Sequence, residues 1–265
     1  MQSSFFRWLY RAALGAMLVV TAPAHASTST TNFSDLWYNA SESGWGVNVS
    51  QQADVMFVTF FVYGPNSQAI WYTATLFAQG VTVDGSLFFA GDLYQTSGPW
   101  FGGPFNPNNV SYRKAGGASF QSATGTTATL QYSVDGVVVT KSIERQTLRN
   151  ENLSGSYLGG SSDITSNCLV PSNNGFRTEE NGPFVVNHVG TQVTILSPNC
   201  RYTGTYHQDG QVGRIDGSYT CSGGAAAGAI TFFDLRAETS GIVGRYFGNG
   251  SNCTFDGNIG LGRRN

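Results

Sequence analysis

The feature that most constrains this fold is a regular alternation of strand-length segments with turn residues. Segments rich in Val, Thr and aromatic residues are separated by Gly, Asn, Asp or Pro, and no stretch keeps a helical period. They fall into two sets of eight, on either side of the polar segment 149–155. An antiparallel meander of this length can pair its first and last strands and close into a barrel, which leaves no exposed edge strand. The sequence therefore predicts an all-β fold of two tandem antiparallel meander β-barrels or strongly curled sheets, about eight strands each, at residues 27–150 and 151–265.

The first 26 residues are typical of a signal peptide. Arg7 and Arg11 precede the short apolar run 12–20, and small residues frame a cleavage site after residue 26. We therefore predict an exported protein, periplasmic or secreted. Without those two arginines, 12 of the 14 basic residues stand against 16 acidic ones. This mildly acidic balance predicts no nucleic-acid partner, and no later segment is apolar enough to predict a membrane span.

Four cysteines lie in the second half: Cys168, Cys200, Cys221 and Cys253. An even number in an exported chain predicts two disulfides, and the absence of Cys-x-x-Cys spacing argues against a metal site. The segment 200–221 is nearly symmetric about its centre, so a hairpin would pair Cys200 with Cys221. Barrel closure would then bring Cys168 beside Cys253. The sequential pairing, 168–200 with 221–253, stays open because all four thiols would lie at one end of the barrel.

Each half begins with an aromatic residue and ends with an arginine. The pairs are Trp37 with Arg145, and Tyr157 with Arg263 or Arg264. Because the first and last strands of a small closed barrel are neighbours, each arginine is expected to lie over its aromatic ring, a contact of roughly 0.5–2 kcal/mol. The pattern resembles the Gly-x-Trp motif and terminal Arg of lipocalin- and avidin-type barrels.

A wider resemblance covers most of the first half. The segments "ESGWGVNVSQQADVMFVTFFVYG", "GDLYQTSGPWFGGPFNPNNV" and "YSVDGVVVTKSIERQ" are similar to a module of exported proteobacterial proteins. The second half, with "YTGTYHQDGQVGRIDGSYTC" and "GNIGLGRR", resembles a companion module. Ala53 replaces the Gly of the module's Gln-Gln-Gly-Asp turn. The resemblance implies compartment and architecture, and it implies no activity.

The sequence Gly-Trp-Gly around Trp45 is the tightest local signal. Flanking glycines leave space for the indole to stack on a ligand at a barrel mouth, or to plug the barrel end. Asn48 and Gln51 follow on the same predicted strand and could orient a ligand through their amide groups. These three residues are candidate ligand-binding residues.

The segment "VMFVTFFVYG" at 55–64 is apolar on both of its faces. One face can line a barrel, but the other also needs a cover. We expect the second half of the chain to provide it; a partner protein, a homodimer or a ligand are the alternatives. Trp71 and Tyr72 on the next strand raise the same question and are further candidate ligand-binding residues.

The connection 97–109 is long and irregular, with three prolines and three aromatic residues. Loops of this length are usually functional or fold over a core. Trp100 and Phe101 could form a platform for a sugar or an apolar ligand. The alternative is a lid packed over the barrel end.

The sequence contains no recognisable catalytic motif, and it predicts no cofactor and no metal site. Glu179 and Glu180 are interpreted as a solvated loop. We therefore predict a non-enzymatic, exported binding protein that holds a small apolar or glycan ligand at an aromatic barrel mouth. Two alternatives stay open: a protein-directed inhibitor or assembly partner that uses the apolar hairpin face, and a hydrolase with an unrecognised site.

Overall fold

A computed structural model describes residues 31–222, 226–250 and 252–264 of this chain. The predicted signal peptide lies outside the described residues. The first eight strands are β1 (Asp35–Tyr38), β2 (Gly46–Gln52), β3 (Val55–Tyr63), β4 (Ala69–Val81), β5 (Leu87–Ser97), β6 (Ser111–Ser122), β7 (Thr127–Val134) and β8 (Val137–Arg145). The second eight are β9 (Gly155–Ser166), β10 (Arg177–Val189), β11 (Gln192–Leu196), β12 (Cys200–Asp209), β13 (Val212–Cys221), β14 (Ala227–Glu238), β15 (Gly241–Asn249) and β16 (Thr254–Arg263).

Each set of eight strands forms a closed antiparallel barrel. In the first barrel β1 pairs with β2 on one side and with β8 on the other. In the second barrel β9 pairs with β10 and with β16. Pro107–Asn109 and Pro171–Asn173 form short 3-10 turns, and the described residues contain no α-helix. The predicted all-β fold of two eight-stranded meander barrels is confirmed.

The interior of the first barrel is filled with apolar side chains. Along β3, Met56, Val58 and Phe60 are fully buried, as the period-two alternation of a strand requires. Trp37 and Phe120 meet edge to face inside the barrel, with ring centroids 5.1 Å apart.

The turns define two ends for each barrel. In the first barrel, chain entry at β1 and the turns 53–54, 82–86 and 123–126 lie at the proximal end. In the second barrel, the turns 190–191, 210–211 and 239–240 occupy the corresponding proximal end. The opposite ends, here called distal, carry the connections 98–110 in the first barrel and 167–176 in the second.

The proximal ends of the two barrels pack against each other. The turn between β12 and β13 reaches the first barrel, where the amide of Gln211 donates to Asp35 Oδ2 over 2.8 Å and the amide of Gly210 donates to Thr147 Oγ1 over 2.8 Å. Gly210 has φ +61°, and a Cβ there would lie 2.2 Å from Asp35 Oδ2 and 2.8 Å from Arg145 Cβ. Only glycine suits both this backbone conformation and this close approach.

The predicted arginine–aromatic contacts are present in both barrels. The Arg145 guanidinium lies 4.9 Å from the Trp37 ring centre, and that of Arg263 lies 5.1 Å from the Tyr157 ring centre. Arg145 is also buried in an ion pair with Asp35, with Nη1 2.9 Å from Oδ2. Burial lowers the pKa of Arg145, while the Asp35 carboxylate opposes this shift. The first barrel is thus locked where its first and last strands meet.

The two disulfides are Cys168–Cys253 and Cys200–Cys221. The pairing expected from the hairpin and from barrel closure is confirmed, and the sequential pairing is wrong. Cys200 and Cys221 face each other in the β12–β13 register, as the symmetry of that hairpin predicts. Both bridges lie at the distal end of the second barrel and are compatible with an oxidising environment. Among the described residues, no helix has the length and apolarity needed to cross a membrane.

Candidate functional site

Trp45 is half-buried and packs against the core of the first barrel at its distal end. Its indole N–H donates to Glu42 Oε2 over 3.0 Å, and Lys141 Nζ lies 5.8 Å from its ring centre. Lys141 also binds the Glu42 carboxylate at 2.7 Å. The ring is therefore held by neighbours of its own chain.

Asn48 and Gln51 do not converge on a common site. Asn48 is exposed on the outer face of β2, between the buried Val47 and Val49. The Gln51 amide accepts from the Phe33 amide over 2.8 Å and donates to the Ala53 carbonyl over 2.8 Å. Through these bonds, the Gln51 side chain holds the segment that precedes β1 in place.

The expected cover for the apolar outer face of β3 and β4 is absent in the described residues. Phe57, Phe61, Tyr63 and Trp71 are 49–62 % exposed, so the prediction that the second half buries them is wrong. The reason is geometric, because the barrels meet through their proximal ends and leave this side wall uncovered. Phe61, Tyr63 and Trp71 line a groove of about 260 Å³. Tyr72, in contrast, points inward and is part of the core.

The loop aromatics of the first barrel project away from its core. Trp100 is 73 % exposed and Phe101 is 95 % exposed, with ring centroids 6.1 Å apart. The interpretation of this loop as a lid packed over the barrel end is therefore wrong. The platform interpretation stays a prediction.

The second barrel contains a cavity at its distal end. It has a volume of about 260 Å³ and reaches the distal turns, since Asn199 and Ala226 contribute to its wall. Four aromatic rings line it: Tyr202, Tyr219, Tyr246 and Phe255. The opposite wall is polar and consists of Ser161, Asp163 and Thr165 on β9 with Thr178, Glu179 and Glu180 on β10.

Strand registers explain how these groups come together. Asp163 pairs with Gly257, and Gly257 pairs with Tyr246, so the three residues lie in line across β9, β16 and β15. A Cβ on Gly257 would lie 2.7 Å from the Tyr246 ring and 2.8 Å from Asp163 Cβ. Glycine in the middle strand thus allows the Tyr246 hydroxyl to donate to Asp163 Oδ2 over 3.0 Å.

The four rings form a continuous surface inside the cavity. Tyr202 and Tyr219 face each other across β12 and β13 with centroids 6.2 Å apart. Phe255 is 5.5 Å from Tyr219 and 6.2 Å from Tyr246, both in edge-to-face geometry. Gly248 stands beside Phe255, and a Cβ there would lie 2.3 Å from that ring. The glycines of this barrel make room for its aromatic residues.

Burial sets the protonation of the cavity groups. It raises the pKa of Tyr202, which the nearby Glu180 carboxylate raises further, and it raises the pKa of Tyr246, so both phenols are neutral at pH 7. Burial also raises the pKa of Asp163 above its usual range, although the hydrogen bond from Tyr246 acts in the opposite direction. The cavity therefore offers neutral phenols and a carboxylate that is costly to ionise.

The sequence did not predict the two inward-facing acids of the cavity, Asp163 and Glu180, as site residues. Glu179 and Glu180 lie within β10, not in a loop, so that earlier interpretation is wrong. Glu179 is exposed and pairs with Arg177 at 2.7 Å, whereas Glu180 is half-buried and accepts from the Asn199 amide over 2.7 Å. Asp163 lies on the distal part of β9. The available signal was the alternation of Ser161, Asp163 and Thr165 with outward residues.

The histidines of the second barrel lie apart from this cavity. His188 Nδ1 accepts from the Leu153 amide over 3.3 Å, and its ring meets Tyr206 at 4.9 Å. His207 is exposed. No cluster of three or more His, Cys, Asp or Glu residues with metal-binding geometry is present in the part of the chain that the structure describes.

Comparisons with known proteins add no relative to this description. No protein-family model matches the chain, and neither a curated protein nor a solved structure matches it significantly.

Proposed function

We propose that this protein is an exported, non-enzymatic binding protein that holds a small ligand in the distal cavity of its second barrel. The observation that carries the proposal is a cavity with rings on one wall and hydrogen-bonding groups on the other, a composition typical of ligand sites. Its volume of about 260 Å³ is slightly below the ~300–1,000 Å³ of drug-sized sites, which favours a small molecule. The two disulfides at the cavity end support a role outside the cytoplasm.

The test is a ligand-observed NMR screen of small amines, alcohols, carboxylates and monosaccharides. Ser161 lines the cavity on β9, so Ser161→Phe should fill it and abolish binding. Ser162→Phe is the matched control, because neighbouring residues on a strand face opposite sides. Ligands that bind the wild type and the Ser162→Phe variant, but not the Ser161→Phe variant, would support the proposal. Binding that is equal in all three proteins would contradict it.

Tryptophan fluorescence provides a second control. The tryptophans of the described chain, residues 37, 45, 71 and 100, all lie in the first barrel. A ligand in the second barrel should leave their emission unchanged, whereas a ligand on Trp71 or Trp100 should quench it.

A second candidate function is self-association through the outer face of β2, β3 and β4. Its outward residues, from Asn48 and Ser50 through Phe57 and Phe61 to Trp71, include no charged side chain. Two copies could therefore meet there without like-charge repulsion. Sedimentation at increasing concentration should reveal a dimer that Trp71→Glu abolishes. A monomer at all concentrations would contradict this second function.

A further inference from the structure

The charged residues of the second-barrel cavity all have the same sign. Its described lining includes the acidic residues Asp163, Glu179 and Glu180 and no lysine or arginine. Glu179 is neutralised by Arg177 outside the barrel. The charge directed at the cavity interior therefore comes from Asp163 and Glu180.

Asp163 differs in its partners from three ion-paired acids of this chain. Asp92, Asp135 and Asp216 each bind a lysine or an arginine within 2.7 Å, and these contacts lower their pKa values. Asp163 accepts a hydrogen bond from Tyr246, and no ion pair joins it to a basic residue in the described ranges. This half-buried carboxylate faces the cavity without a counter-ion from its own chain.

The chain elsewhere combines an aromatic ring, a cation and a carboxylate. Arg145 lies between Trp37 and Asp35, and Lys141 lies between Trp45 and Glu42. In each case the cation contacts the negative face of the ring and the carboxylate together. The cavity presents the same two elements, aromatic rings and a carboxylate, around space that a ligand can enter.

We propose that this cavity binds a small organic cation, an ammonium or alkylammonium group, with Asp163 as its counter-ion and Tyr202, Tyr219, Tyr246 and Phe255 around its apolar substituents. This inference rests on the proposed function and specifies its ligand class. Rings contribute through cation–π attraction, which strengthens when the cation is removed from water. The phenol hydroxyl of Tyr246 holds the Asp163 carboxylate in place and acts as a positioning residue.

The experiment compares two probes of one shape, choline and its neutral carbon isostere 3,3-dimethylbutan-1-ol, by calorimetry at low ionic strength. We expect choline to bind at least about tenfold more tightly, because cation–π contacts and the carboxylate favour only the charged probe. Asp163→Asn should weaken choline binding about tenfold and leave the isostere within about twofold. Asp135→Asn is the matched control, since it removes the same charge from an exposed turn of the first barrel and should change neither affinity.

Three outcomes would overturn the inference. They are equal affinity for the two probes, a choline affinity that Asp163→Asn does not change, and cavity ligands from the NMR screen that are predominantly neutral or anionic. In each case binding that Ser161→Phe abolishes would still support the proposed function. The two claims can therefore fail separately.

Discussion

Asp35→Ala should destabilise the first barrel far more than an ordinary loss of a surface ion pair. Asp35 Oδ2 binds Arg145 at 2.9 Å, and the side chains of the pair are 2 % and 0 % exposed. Removing the carboxylate leaves the Arg145 guanidinium buried without a counter-charge, which typically costs about 3–5 kcal/mol. The guanidinium keeps its bonds to the carbonyls of Gly125 and Asn32, so the lower part of this range is expected.

The matched control is Asp135→Ala. Asp135 accepts two hydrogen bonds from Arg113 at 2.6 and 2.9 Å, but the two side chains are 60 % and 49 % exposed. Exposed pairs of this kind contribute little to stability, because water and salt screen them. The assay is urea unfolding followed by tryptophan emission, because the described tryptophans all lie in the first barrel. Urea is uncharged and, unlike guanidinium chloride, does not screen ion pairs. Equal losses of stability for both variants would refute the view that burial makes the Asp35–Arg145 pair decisive.

Three further predictions concern backbone strain and pH. Gly210→Ala should loosen the barrel–barrel contact, which would appear as faster proteolysis of the segment 146–154. Gly190→Ala should not have this effect, because Gly190 has a similar φ of +62° but open space around it. Equal cleavage of the two variants would contradict this prediction. Ala53 adopts φ +53°, so Ala53→Gly should stabilise the first barrel by about 0.5–1 kcal/mol in urea unfolding, and a loss of stability would contradict the assigned turn. Burial raises the folded-state pKa of Asp163, so ionisation of this carboxyl group opposes folding above that pKa, and the cost disappears as the pH falls towards the unfolded value of 3.8. Asp163→Asn should therefore raise the Tm at pH 7 but not near pH 3. A lower Tm of the variant at pH 7 would contradict the raised pKa.

The fold could be predicted from the sequence because its cores follow simple alternation. Met56, Val58 and Phe60 mark an inward face by apolarity alone, and turn residues mark the strand ends. Hairpin symmetry and barrel closure favoured the cysteine pairing that the structure shows, although they left the sequential pairing open. The barrel contacts of Arg145 and Arg263 followed from the adjacency of first and last strands.

The candidate site could not be predicted in the same way. The distal parts of β9 and β10 line a cavity that solvent can enter, so their inward residues, such as Asp163 and Glu180, are polar. The inward apolar residues that mark a core therefore end where the site begins. Aromatic content also favoured a site in the first barrel, where Tyr72 fills the core and Trp71 lies outside it. The sequence indicated which strands exist, but not which barrel end contains the cavity.

The central claim is that a cation binds against Asp163 in the second barrel. The most direct measurement is a carboxyl-carbon NMR titration of Asp163 with and without choline. A bound cation stabilises the ionised carboxylate, so choline should lower the pKa of Asp163. Asp234, whose pKa burial also raises, lies outside the cavity and should not respond. An Asp163 pKa that saturating choline leaves unchanged would contradict the account.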